Sequence, residues 1–165
     1  MARRDPAVLK RVTLSLPFGL GSAEWGEDPT QRRAAWSLYV ELVTRIAVQP
    51  LEGDQGLTRE ALTSLYRLFE TTRATLKEAG PDVGASLDSV GGIAIAVLNQ
   101  GLRPFLAKWH PQLQTWEGQR PAGVSPKEHE RMWPYEPALR AELETLRGEL
   151  ERYADALATI AGVRP

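Results

Sequence analysis

The stretch LRAELETLRGELERYADALATI, Leu139 to Ile160, sets Leu139, Leu143, Leu146, Leu150, Tyr153, Leu157 and Ile160 at alternating steps of four and three. That spacing puts all seven on one side of an α-helix, a coiled-coil-like seam that another helix has to cover. Glu142, Glu144, Arg147, Glu149, Glu151 and Arg152 fill the solvent side of this helix, which begins near Pro137 and runs to about Ala161. The chain upstream supplies the partners.

Asp28 followed by Pro29 marks a helix start: the carboxylate accepts orphan amide protons and the proline pre-sets φ. The pattern continues to Gln49, with Ala35, Trp36, Tyr39, Leu42, Val43 and Ile46 expected on the inner stripe. A second helix begins near Thr58, carries Ala61, Leu62, Leu65, Leu68, Phe69, Thr72 and Leu76 on one side, and stops at Gly80–Pro81. A third begins near Ser86 and is apolar nearly all round from Val90 to Leu98, the mark of a helix wrapped by neighbours. Gly91, Gly92 and Gly101 weaken it by about 1 kcal/mol each, so packing must outweigh that loss. Gly101→Ala is expected to be neutral or stabilising if that position is ordinary helix; strong destabilisation would mean a tight backbone contact or positive φ there. Pro104 and Pro111 are expected to kink or break the segment, since each lacks an amide proton and its ring crowds the preceding turn.

Two shorter signals complete the outline. Val12, Leu14 and Leu16 alternate with Thr13 and Ser15 ahead of PFGLG, which predicts a hairpin returning through Ser22 to Trp25. Two strands alone are marginal in water, so the ribbon must lie on the helices. Ser125-Pro126-Lys127-Glu128 reads as a capping box opening a short helix that ends near Trp133. The sum is a mainly α fold: a four-helix-bundle-like domain with a short N-terminal β-hairpin and a proline-kinked central helix. One helical domain is expected over 11–165, behind a flexible basic tail at 1–10.

Composition narrows the function classes. At 165 residues, 42% apolar and 25% charged, the chain can bury a core without staples. Twenty basic against twenty-one acidic side chains give a net charge of −1, which ranks nucleic acid last among partners, because affinity there rests on a basic excess. With no cysteine, thiolate chemistry, disulfides and cysteine-held metals are excluded. The two histidines, His110 and His129, lie in different segments without ligand spacing, so no metal and no cofactor is expected. No serine sits in a G-x-S-x-G context, and GLGSAEWG lacks the spacing of a phosphate loop. No signal-peptide core precedes Pro17, and the longest apolar run, Ile93 to Leu98, is too short to span a bilayer. A cytoplasmic location without a membrane partner is the expectation.

The most chemically loaded window is LRPFLAKWHPQL, Leu102 to Leu113. Phe105, Leu106, Trp109 and Leu113 suit the core face of a helix, leaving the charges solvated. The alternative gathers Arg103, Lys108 and His110, with Arg45, into an anion-binding pocket. Glu41 and Arg45, four apart, make an exposed pair on the plain reading, or a buried network with Arg103 on the sharper one. Trp116 and Trp133 flank the loop and short helix at Gly118 to Pro134 and are the aromatics expected on a recognition surface.

AAWSLYVELVTRIAVQPL (34–51), REALTSLYRLFETTR (59–73) and AVLNQGLRPFLAKWHPQL (96–113) together resemble uncharacterised small helical proteins of high-GC bacteria. The resemblance is one of overall pattern and brings no catalytic residues. It implies an accessory or sensor part of a multi-component system, defence systems included. The expectation is therefore a non-enzymatic protein-interaction module, acting through a protein partner or self-association. A small anionic-ligand or nucleotide pocket, enzymatic or not, is the alternative.

Overall fold

The computed structural model describes residues 11–45 and 55–163. The tail assigned to 1–10, and the end of the first helix with Ile46, lie outside the described residues. The elements are β1 (Val12–Ser15), β2 (Ser22–Trp25), α1 (Pro29–Val43), α2 (Thr58–Ala79), α3 (Val90–Glu117), α4 (Pro126–Arg131) and α5 (Glu136–Ala161). α1 lies along α5 on one side and α2 on the other, while α3 crosses behind α1 and α2.

The α5 seam is buried from Leu139 to Leu157, with Leu139 and Leu150 fully inaccessible, and Ile160 half-buried against the core. Ala154, Ala156, Ala158 and Ala161 bury alongside it. Their small size lets α1, which buries Ala34 and Ala35, come close. In α1 the buried set is Gln31, Ala34, Ala35, Leu38 and Leu42, so the expected stripe is rotated. Trp36 is 48% exposed and stacks on Tyr39, with ring centroids 5.9 Å apart. The two alanines, not the tryptophan, make the close contact. In α2 the buried residues are those the periodicity picks out together with Thr58 at the helix start, and Leu76 is half-buried against the core.

The central helix carries the expected kink, as a π-helical piece, and departs from expectation in where it starts and in how far it is wrapped. It begins at Val90 rather than Ser86, after a 3-10 turn at Pro81–Gly84, with the Ser89 hydroxyl accepting from Gly92 N at 3.1 Å. It is not wrapped all round, since Ile95 is 49% exposed. And neither proline ends it. A π-helical segment, Val97–Leu102, precedes Pro104, and its wider turn moves the carbonyls off the ring that would otherwise meet them. Pro111 lies within the helix, whose backbone runs on to Glu117, and the side-chain Nε2 of Gln112 donates to Lys108 O at 2.9 Å beside it. By length and composition α3 is long and apolar enough to cross a membrane; half of its most apolar window is buried inside this fold.

Buried polar groups join the elements. Gln31 on α1 donates to Asp82 O at 3.2 Å and accepts from Val90 N at 2.8 Å, fixing the start of α3. Arg32 donates to Ala161 O at 2.8 Å, placing a cation on the C-terminal carbonyls of α5 before Gly162 turns left-handed. The hairpin pairs Leu14 with Ala23 and Val12 with Trp25. At its turn Phe18 holds φ +56°, unusual for a residue with a Cβ, and its amide donates to the Glu149 carboxylate at 2.6 Å. The Phe18 ring covers Gly101 in the π segment.

Candidate functional site

The four cations of the expected pocket are dispersed. Arg45, its side chain 13% exposed, donates to Glu41 at 2.8 Å, to Thr71 Oγ1 at 3.1 Å and to Ser64 O at 3.4 Å. It therefore ties α1 to α2, a role between the exposed pair and the buried network, and Arg103 is not part of it. Lys108 pairs with Glu142 of α5, whose other oxygen accepts from Trp109 Nε1 at 2.7 Å. Arg103 and His110 are seven residues apart, nearly two helical turns, and share the α2-facing side of α3. Lys108 lies off that stripe. Arg103 donates to Asn99 and sets its guanidinium 5.2 Å from the centre of the Phe69 ring. His110 Nδ1 accepts from Arg59 at 2.9 Å, and its ring lies 5.6 Å from that of Tyr66.

The recognition aromatics are also placed differently. Trp133 is 4% exposed, edge-on to Trp109 and Tyr135. Trp116 is half-buried and stacks on His129 at 4.5 Å, donating its Nε1 proton to His129 O at 2.7 Å. His129 Nε2 lies 2.6 Å from Trp116 O, so this nitrogen carries the proton. The pair is a clasp between α3 and α4. The exposed aromatics are instead Trp36, Tyr66 and Tyr135, the last two each 58% exposed.

The clasp positions Glu130, only 7% exposed, over the start of α2. Leu57 at that start offers no side-chain cap, and Glu130 takes its place, accepting from Thr58 N at 2.7 Å and Arg59 N at 3.4 Å. Sequence reasoning missed this. The available signal was a helix beginning on leucine where an oxygen-bearing cap is usual.

What the structure assembles is a groove of about 650 Å³ along α2, lined by Leu62, Thr63, Tyr66, Arg67, Glu70, Arg73 and His110. Tyr66 stands at its centre, its ring 6.2 Å from Phe69 and 5.6 Å from His110. Arg73 reaches the Phe69 ring at 6.0 Å, so this one ring carries two guanidinium groups. Among the described residues Arg67, Arg73 and Arg103 have no carboxylate partner. No group of three or more His, Asp or Glu side chains suited to a metal ion occurs among the described residues.

Glu142 gives this region a pH test. The hydrogen bonds from Lys108 and then Trp109 hold its carboxyl below the ordinary carboxylate range. A carboxyl whose folded pKa is lowered stabilises the fold above the unfolded value and loses that contribution as pH falls through the folded one. The stability gap between wild type and Glu142→Gln is expected to be full above about pH 5 and to close below about 4.3, the free glutamate value. Thermal melts across that window check it; a gap independent of pH would remove the carboxylate from the account.

No family model, curated protein or solved structure matches the chain.

Proposed function

We propose that this chain is a non-enzymatic protein-interaction module, a cytoplasmic accessory part of a multi-component bacterial system that works by docking a protein partner on the α2–α3 face. The observation that carries the reading is Tyr66, more than half exposed and set among Arg67, Arg73 and Arg103, cations without carboxylate partners among the described residues. Tyrosine and arginine are the residue types in which binding energy concentrates at protein interfaces, because each offers a large, stiff contact surface with a polar end. The Tyr66 ring rests on Phe69 and His110 with more than half of its surface left in water. On a partner it buries apolar area at little entropic loss.

The test is capture from the native host with the full chain as bait, beside Tyr66→Ala and Arg73→Glu baits. A defined partner, retained by wild type and reduced about tenfold by either change, is the expected result. Stabilisation of the chain by a nucleotide or metabolite in a thermal-shift panel, with no partner captured, would favour the small-anion pocket and overturn the reading.

A further inference from the structure

We infer that the α2–α3 groove receives an acidic segment of the partner protein, its carboxylates held by Arg67 and Arg73 in the groove and by Arg103 beside it on the Phe69 ring, and an apolar side chain laid on Tyr66; this rests on the reading of the chain as an interaction module. Three features lead there. The first is charge. The α2–α3 face holds three arginines without carboxylate partners among the described residues, and Glu70 alone among its lining residues is acidic. By contrast the solvent side of α5 balances its own charges, with Arg147 bridging Glu144 and Glu151 and Arg152 pairing with Glu149. Negative groups are therefore drawn to the groove more strongly than to the α5 face.

The second feature is preorganisation. The Phe69 ring, itself only 7% exposed, holds the guanidinium groups of Arg73 and Arg103 at 6.0 and 5.2 Å. Arginines seated on an aromatic ring keep their donor edges turned outward and have less freedom to lose when a carboxylate arrives. The third is length. Thr63 to Arg73 is eleven residues of helix, ten rises that span about 15 Å. That accommodates about ten residues of a docked helix or about five of an extended strand.

A nucleic acid strand meets these requirements less well. It brings a phosphate with every nucleotide and would set one against Glu70, in a chain with a net charge of −1. A protein segment can space its carboxylates around Glu70 and offer it an amide or a lysine.

The experiment uses the full chain and a fluorescent peptide, four repeats of Glu-Glu-Phe, read by anisotropy at about 50 and 500 mM salt, against labelled polyuridylate of similar charge. Wild type is expected to bind the peptide more tightly than polyuridylate and to lose about tenfold in affinity at the higher salt. Arg67→Gln with Arg73→Gln should weaken the peptide at least about tenfold, and Tyr66→Ala about fivefold, while Arg152→Glu on α5 stays within about twofold. Circular dichroism confirms that each variant folds, and the paired glutamine changes add no repulsion.

Tighter binding of polyuridylate, equal loss with Arg152→Glu, or stabilisation by inorganic phosphate without peptide binding would each overturn the inference. Competition separates it from the broader proposal. If the peptide does not displace a captured partner, the acidic segment is wrong and the module stands. If the peptide binds but no partner is captured, the module reading fails.

Discussion

Replacing Gly92 with alanine is expected to destabilise the protein by about 3 kcal/mol, a larger loss than any surface substitution would produce. A Cβ built there runs into the main chain of the preceding turn: Ser86 O, Leu87 O at 2.8 Å and Leu87 Cα at 2.9 Å. Neighbouring Gly91 has the same problem with Val83 O at 2.6 Å. Main-chain atoms cannot swing aside, so the connection from the 3-10 turn to α3 must shift as a unit, taking buried Val83 and Val90 with it. Gly101 makes the informative contrast. Its Cβ would meet the Phe18 ring at 2.7–2.8 Å, a side chain that can rotate if the hairpin gives way. Alanine there should therefore lower stability by about 1–2 kcal/mol, with loss falling mainly on the hairpin. Chemical denaturation of both variants checks the order; a neutral Gly92→Ala would mean that the turn is not packed on α3 as described.

Removing the Glu130 carboxylate is the second large effect. Glu130→Ala leaves two amides at the start of α2 without their acceptor inside a buried junction, with an expected loss of about 2–3 kcal/mol. Glu130→Gln keeps an oxygen in reach and gives up only the charge, so about 1 kcal/mol is expected. Hydrogen exchange provides the specific readout, because the amides of Thr58 and Arg59 should lose protection before those in the middle of α2. Equal protection in the alanine variant would show that another group caps the helix.

The two sites mark the limit of what the sequence reveals. Hydrophobic periodicity and capping chemistry find elements whose signal is local: the first located α2, the α5 seam and the hairpin, the second the Ser125–Glu128 capping box. Periodicity misjudged α1 because tryptophan is weighted as core in any stripe, while close approach to α5 favours Ala34 and Ala35 and turns Trp36 outward. The kink expected in the central helix is present, as the π segment Val97–Leu102 just before Pro104, whereas the break allowed at either proline does not occur and the helix runs on past Pro111 to Glu117. The candidate site was legible in part. Arg103 and His110 are seven apart and belong to one side of a helix, whereas Lys108 falls on another, and that much is spacing. That α2 would bring Tyr66, Arg67 and Arg73 to the same side depends on which helices become neighbours, and on contacts such as Glu130 with Thr58 that no local window contains.

The bond from Phe18 to Glu149 joins positions 131 residues apart, and α1 likewise rests on α5. During synthesis the ribosome releases the ribbon and its first helix long before their supports exist. Those early parts must wait, with Leu14, Leu16 and Leu38 uncovered, until translation has delivered the final helix. Closure of that side of the fold is therefore expected late, and a chain cut short before α5 is expected to leave the hairpin and one side of α1 unsheltered.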